Sequence, residues 1–137
     1  MQLEDKLAIQ ELLARSAYAL DERQLEMLAD TFSADASLAI DIAGTAGEVL
    51  FQGRDAIMGL MRDSMEAQTD QRRHVVTNLF FEALTEDRAA VISNITITSV
   101  EHGAIRLVTS GLYRDAVFRE GDRWRIERRR IELDMAY

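Results

Sequence analysis

The sequence of 137 residues contains no cysteine, no proline and only two histidines. Without cysteine it can form no disulfide, no zinc–thiolate site and no thiol nucleophile. Two histidines far apart in the chain argue against a multi-histidine metal site. Since proline is absent and glycine occurs only 7 times, no segment reads as a linker, and we expect a single domain over residues 1–137.

Long apolar runs and an excess of positive charge are also missing. No segment approaches the ~20 apolar residues of a membrane-spanning helix, and the first residues lack the pattern of a signal peptide. The formal net charge is −8, whereas a nucleic-acid partner requires a basic surface. We therefore expect a cytoplasmic protein with neither a nucleic-acid nor a membrane partner.

Several catalytic motifs are absent as well. The chain has no glycine-rich nucleotide-binding motif, no H-E-x-x-H zinc motif and no G-x-S-x-G nucleophile elbow. Acid–base chemistry by carboxylate, imidazole, guanidinium or phenol groups remains, and it needs no cofactor or metal.

The order of the predicted elements indicates an α+β fold. Hydrophobic periodicity predicts helices over residues 3–20 and 25–32 and a third helix from residue 54. A turn is expected at 33–36, and strands are expected at 37–42, 48–52, 73–84, 88–101, 103–119 and 122–134. We predict a curved antiparallel or mixed sheet wrapped around the three helices, with a pocket inside.

The long predicted strands carry apolar residues on both faces. In 88–101, Val91, Ile95 and Ile97 share one face, while Ile92 and Val100 lie on the other. Three helices can cover only one face of the sheet. We therefore predict a homo-oligomer, a trimer or a dimer, that forms through the outer face.

His74 stands near the head of a predicted strand. Strand alternation places it on one face with Val76, Asn78 and Phe80, which indicates a mostly apolar pocket with one titratable ring. The alternative is a structural histidine at a strand edge. The other histidine, His102, precedes a glycine in a turn and is expected to be solvated.

Asp21 follows the first predicted helix and admits two interpretations. With Gln24 three residues later it matches a capping box for the second helix. If it reaches His74 instead, its carboxylate can orient the imidazole.

Three consecutive arginines, Arg128, Arg129 and Arg130, lie in the last predicted strand. A charge run often protects a solvated sheet edge. The apolar residues of this strand change parity near Glu127, which predicts a β-bulge. If Arg129 shares the face of Ile131, it points inward, and we predict that it is the most buried of the three.

Five short motifs make the chain resemble the NTF2-like superfamily, within its SnoaL-like group. They are Ile9-Gln10-Glu11-Leu12, Tyr18-Ala19-Leu20-Asp21, Leu28-Ala29-Asp30-Thr31-Phe32, Gly53-Arg54-Asp55-Ala56-Ile57 and His74-Val75-Val76-Thr77-Asn78. The resemblance is nearest to hexachlorocyclohexane dehydrochlorinase, scytalone dehydratase and bile-acid dehydratase. It implies a cone-shaped fold, a catalytic dyad of Asp21 and His74, and a supporting role for Arg129.

The resemblance implies a small cofactor-independent lyase, of the dehydratase or dehydrohalogenase type, or a related isomerase. His74 would act as general base on a compact apolar or cyclic organic substrate, and the expected substrate-binding residues are Tyr18, Ser16, Asn78, Phe32, Ile57, Met61, Val76, Ile95 and Leu112. Two alternatives remain at this point: a non-catalytic NTF2-like assembly subunit and a lipophilic ligand-binding protein.

Overall fold

Three helices and six strands make up the computed structural model, which describes residues 2–137. In chain order they are α1 (Gln2–Asp21), α2 (Leu25–Thr31), β1 (Phe32–Ile42), β2 (Val49–Gln52), α3 (Arg54–Ala67), β3 (Gln71–Leu84), β4 (Arg88–Glu101), β5 (Ala104–Glu120) and β6 (Arg123–Leu133). The α+β class is confirmed. The turn predicted at 33–36 is wrong, because those residues continue β1 directly from the end of α2.

The strands form one mixed sheet in the order β2-β1-β6-β5-β4-β3. β1 and β6 run parallel, and every other neighbouring pair is antiparallel. The last strand therefore lies in the middle of the sheet and brings its inner face under the helices. β5 approaches β6 closely at Gly111, where a Cβ would lie 2.1 Å from the backbone oxygen of Glu132. Only glycine fits that contact without a shift of the backbone.

The helices pack on one face of the sheet because each carries an apolar stripe. Ile9 and Leu13 of α1, Leu28 of α2 and Ile57 of α3 are fully buried against inward-facing residues such as Ile126. Burial of such a side chain contributes roughly 1.5–3 kcal/mol. None of the helices described over residues 2–137 is long and apolar enough to cross a membrane.

Two of the β-bulges in the sheet decide which of the expected site residues face inward. In β6, Ala116 pairs with Arg128 and Val117 with Ile126, so Glu127 is the extra residue, as predicted from the parity change. In β3 a second register shift follows Thr77, at Asn78, whose φ is 56°. This bulge reverses the alternation, so Phe80 is exposed and does not share the face of His74.

Candidate active site

Asp21 and His74 are joined by two hydrogen bonds. The His74 ring Nδ1 lies 2.6 Å from Asp21 Oδ1, and the His74 backbone N–H donates to Asp21 Oδ2 over 2.9 Å. Asp21 is the last residue of α1 and His74 lies near the start of β3, so the pair ties the helix to the sheet. The side chains are 6% and 9% exposed. Because a carboxylate only accepts hydrogen bonds, Nδ1 must carry the hydrogen, which leaves Nε2 as the free ring nitrogen.

The capping interpretation of Asp21 is wrong. The residue at the N-cap of α2 is Gln24, and no side chain caps that helix end. Both carboxylate oxygens of Asp21 serve His74 instead. The carboxylate is therefore committed to orienting the imidazole.

His74 lines an apolar cavity of about 210 Å³ between the helices and the inner face of the sheet. Its walls are mostly aliphatic, and include Leu20, Leu28, Leu60, Ile97, Ile131 and Leu133. Its polar lining consists of Ser16, Ser64, Gln68, His74, Tyr113, Arg129 and Tyr137. The volume lies below the ~300–1,000 Å³ of typical ligand pockets, so the cavity suits a compact molecule.

A second polar cluster lies in the wall of the same cavity. Arg129 on β6 faces Asp115 directly across on β5, and it donates from Nε to Oδ1 over 2.7 Å and from the Nη2 nitrogen to Oδ2 over 3.1 Å. A third donor, Nη1, reaches the Ser16 hydroxyl at 3.1 Å. The Arg129 guanidinium carbon lies 4.1 Å from the ring centroid of Tyr113. This arrangement is a bidentate ion pair that also fixes a serine and a tyrosine.

Burial sets the electrostatics of this cluster. Burial by itself would lower the pKa of Arg129, but the adjacent Asp115 carboxylate outweighs it, so the pKa is raised and the guanidinium stays charged. Burial also raises the pKa of Tyr113 to about 12. The pKa of Tyr137 is raised for the same reason. Both phenols are therefore neutral hydrogen-bond donors near neutral pH.

Of the expected site residues, the structure brings six to the cavity wall: Ser16, Phe32, Met61, His74, Ile95 and Arg129. Asp21 stands behind His74. Arg129 is 5% exposed and is the most buried of the three arginines, since the bulge at Glu127 turns it inward.

Five expected lining residues lie elsewhere. Tyr18 is 55% exposed on α1, and Asn78 is exposed at the β3 bulge, which turns it away from the cavity. Ile57 belongs to α3 and is buried in the main core, and Val76 packs in a smaller apolar cluster with Ile95. The last is Leu112, which the parity of β5 places on the opposite face of the sheet from Tyr113.

The structure adds Asp115, Tyr113 and Tyr137, to which no local sequence pattern points. Asp115 could have been found from the register of the β5–β6 hairpin. If residues are paired outward from the turn at Glu120-Gly121-Asp122, and one bulge residue is allowed in β6, then Asp115 lies opposite Arg129. No group of three or more histidine or acidic side chains among residues 2–137 is placed to hold a metal ion.

Solved structures similar to this chain share its fold over nearly its whole length. A protein of unknown function from Mycobacterium tuberculosis, solved as an Asp-to-Asn variant, is 26% identical with a TM-score of 0.85, covering 97% of this chain and 73% of that one. A Catenulispora acidiphila protein in complex with S-DNPA is 26% identical with a TM-score of 0.81, covering 96% and 94%. The β subunit of a candidate aromatic-ring-hydroxylating dioxygenase from Novosphingobium aromaticivorans is 17% identical with a TM-score of 0.84, covering 99% and 93%, and so shows the fold alone.

No curated protein matches the chain closely enough to count as a relative. Other structural neighbours carry the names NTF2-like protein with a cystatin-like fold and candidate scytalone dehydratase. The SnoaL-like domain model matches residues 1–130, so the chain belongs to the SnoaL-like domain family.

Proposed function

We propose that the protein is a small lyase or isomerase that needs no cofactor and uses Asp21 and His74 as a general-base dyad. The observation that carries this proposal is the 2.6 Å contact between the Asp21 carboxylate and His74 Nδ1, on the wall of an apolar cavity. The SnoaL-like family binds small organic ligands and includes dehydratases and isomerases, which supports this reading.

The dyad has the geometry of an oriented base. Asp21 holds the neutral ring in the tautomer with its hydrogen on Nδ1, so that Nε2 carries the lone pair available to the cavity. The carboxylate also stabilises the positive charge of the imidazolium once it forms. Imidazole is well matched to proton abstraction near neutral pH. The second hydrogen bond, from the His74 backbone, fixes the carboxylate itself and reduces the reorganisation that proton transfer would require.

In the proposed elimination, Nε2 of His74 removes a C–H proton from the substrate. The electron pair of that bond becomes the new C=C bond, and hydroxide or halide leaves from the adjacent carbon. A departing hydroxide takes up the proton held by the His74 imidazolium and leaves as water, whereas after loss of halide the imidazolium releases that proton to solvent; either way the ring is neutral again. In the isomerase variant, the imidazolium returns the proton to a different carbon and the ring is again neutral.

The charge of Arg129 is already balanced by Asp115. Arg129 can therefore stabilise a leaving group by donating hydrogen bonds to it rather than by adding net positive charge. A guanidinium has five N–H donors, of which three are engaged by Asp115 and Ser16. The role proposed for Arg129 is thus to orient substrate polar groups together with Ser16.

Proton exchange tests the proposal without knowledge of the natural substrate. Compact cyclic ketones, β-hydroxy ketones and chlorinated cyclohexanes would be incubated with the protein in D₂O, and deuterium uptake and elimination followed by NMR. We expect His74→Gln and Asp21→Asn to lower the rate by roughly 10²–10⁴-fold, the range for loss of a general base. His102→Gln is the matched control, because His102 lies in an exposed turn.

Equal rates for wild type and His74→Gln would refute the dyad. Tight binding of these compounds with no exchange in any variant would instead favour a ligand-binding protein. The fold shared with a dioxygenase β subunit does not separate these outcomes, because one fold hosts both catalytic and assembly roles.

A further inference from the structure

We propose that Tyr113 is the hydrogen-bond donor that holds an oxygen atom of the ligand in the cavity, and that the Asp115–Arg129 pair positions it. The inference deepens the proposed function, on which it rests for the cavity being the reaction site. It predicts a ligand with a carbonyl or similar acceptor oxygen.

The ring of Tyr113 is held from several sides. The Arg129 guanidinium covers it at 4.1 Å, and Arg129 is in turn fixed by its two hydrogen bonds to Asp115. Ile95 and Ile97 of the neighbouring strand pack with the ring in one apolar cluster. A side chain that is 4% exposed and packed in this way has one orientation, which is what a positioning donor needs.

The hydroxyl of Tyr113 has access to the cavity that His74 also lines. No hydrogen bond joins it to another residue among 2–137, and its oxygen is not one of the fully enclosed side-chain atoms that lack a partner in this part of the chain. A ligand or water in the cavity can therefore accept its hydrogen.

The charges of the cavity favour a neutral acceptor on the ligand. Arg129 is the one ammonium or guanidinium group among the lining residues of the described chain, and Asp115 neutralises it. Burial keeps the Tyr113 phenol protonated well above neutral pH, so it donates without adding charge. A ketone oxygen suits such a donor better than a permanent anion does.

This donor fits the proton abstraction proposed for His74. When Nε2 takes a proton from the carbon beside a C=O group, the C–H electron pair forms a C=C bond and the carbonyl electrons move to the oxygen. Tyr113 stabilises that oxyanion by its hydrogen bond and keeps its own proton. The imidazolium then carries the transferred proton, and the charges balance between the oxyanion and the ring.

A matched pair of probes tests the inference: 1-tetralone, which has a carbonyl, and tetralin, its hydrocarbon counterpart. Dissociation constants for both would be measured by calorimetry for the wild type and for Tyr113→Phe, Ser16→Ala, Asp21→Asn and Tyr18→Phe. We expect Tyr113→Phe to reduce the preference for the ketone by roughly 3- to 10-fold, as for one neutral hydrogen bond, with tetralin binding unchanged. Tyr18→Phe, an exposed tyrosine of the same chain, should leave the preference intact.

The infrared carbonyl stretch of bound 1-tetralone gives a second readout on the wild-type protein and Tyr113→Phe. It should lie at lower frequency than in an apolar solvent, and Tyr113→Phe should remove most of the shift. Deuterium uptake at C2 of 1-tetralone, measured in the same samples, reports on the dyad separately. Asp21→Asn should lower the rate of that uptake by roughly 10²–10⁴-fold and retain the ketone preference.

Four results would overturn the inference: no ketone preference in the wild type, no binding of either probe, a preference unchanged in Tyr113→Phe, or a preference lost only in Ser16→Ala. Absence of deuterium uptake in the wild type, with the Tyr113-dependent preference intact, would count against the proposed function alone.

Discussion

The buried ion pair of Asp115 and Arg129 gives the sharpest stability prediction. Replacement of Asp115 by Asn keeps the shape and one acceptor, but leaves the guanidinium of Arg129 buried beside a neutral partner. Breaking a buried pair by removing one charge costs about 3–5 kcal/mol. Because the asparagine retains one hydrogen bond, we expect the lower end, about 3 kcal/mol.

The corresponding change in melting temperature is large for a domain of this size. With 137 residues at ~2.1 cal/mol/K each, the unfolding entropy is about 290 cal/mol/K. A loss of about 3 kcal/mol then lowers Tm by about 10 °C. The double variant Asp115→Leu/Arg129→Met removes both charges, and we expect it to recover most of this loss.

Urea unfolding followed by circular dichroism measures these differences, and Arg130→Met is the matched control. Arg130 also pairs with acidic residues, but on the solvent-facing side of the sheet, where such pairs contribute ~0–1 kcal/mol. A cost below about 1 kcal/mol for Asp115→Asn, or a double variant as unstable as the single one, would refute this reasoning.

Further predictions concern the bulge, the buried phenol and the outer sheet face. Deletion of Glu127 removes the extra residue and leaves the pairs Val117–Ile126 and Ala116–Arg128 in register, so by urea unfolding it should destabilise the fold less than Arg129→Met, which leaves the Asp115 carboxylate buried without its partner; a larger loss of stability for the deletion would contradict this. The pKa of Tyr113 rises from 10.0 to about 12 on folding. The stability that the protein gains from keeping this phenol neutral is therefore fully present below pH 10 and is lost as the pH rises through 12. The free energy of unfolding should therefore fall by about 2–3 kcal/mol more in wild type than in Tyr113→Phe over that range, and parallel pH profiles would contradict it. Exposed apolar residues such as Ile105 and Leu107, each 70% exposed, support the predicted homo-oligomer, and light scattering that shows a monomer at micromolar concentration would exclude it.

The sequence predicted the helices, the long strands and the contact partners Asp21 and His74, because periodicity and family resemblance are local signals. It also predicted the bulge near Glu127, since apolar parity changes there. The β3 bulge at Asn78 was missed because a single residue with positive φ leaves the surrounding pattern almost unchanged.

Asp115 was missed for a different reason. Its role depends on which residue lies opposite on the next strand, and that register follows only after the hairpin turn and the bulge are both fixed. Tyr113 was missed because it lies on the same face as Asp115 and follows from the same register. Long-range pairing therefore determined the part of the site that the local pattern did not reveal.

The central claim is that Asp21 fixes His74 with its hydrogen on Nδ1 and its lone pair on Nε2, and ¹⁵N NMR of the histidine rings tests it most directly. The His102→Gln variant leaves one histidine, so the remaining ring signals belong to His74. We predict that the neutral His74 ring carries its hydrogen on Nδ1, and that Asp21→Ala abolishes this tautomer preference. A neutral ring with its hydrogen on Nε2, or a ring that stays doubly protonated at every pH at which the protein is folded, would contradict the account.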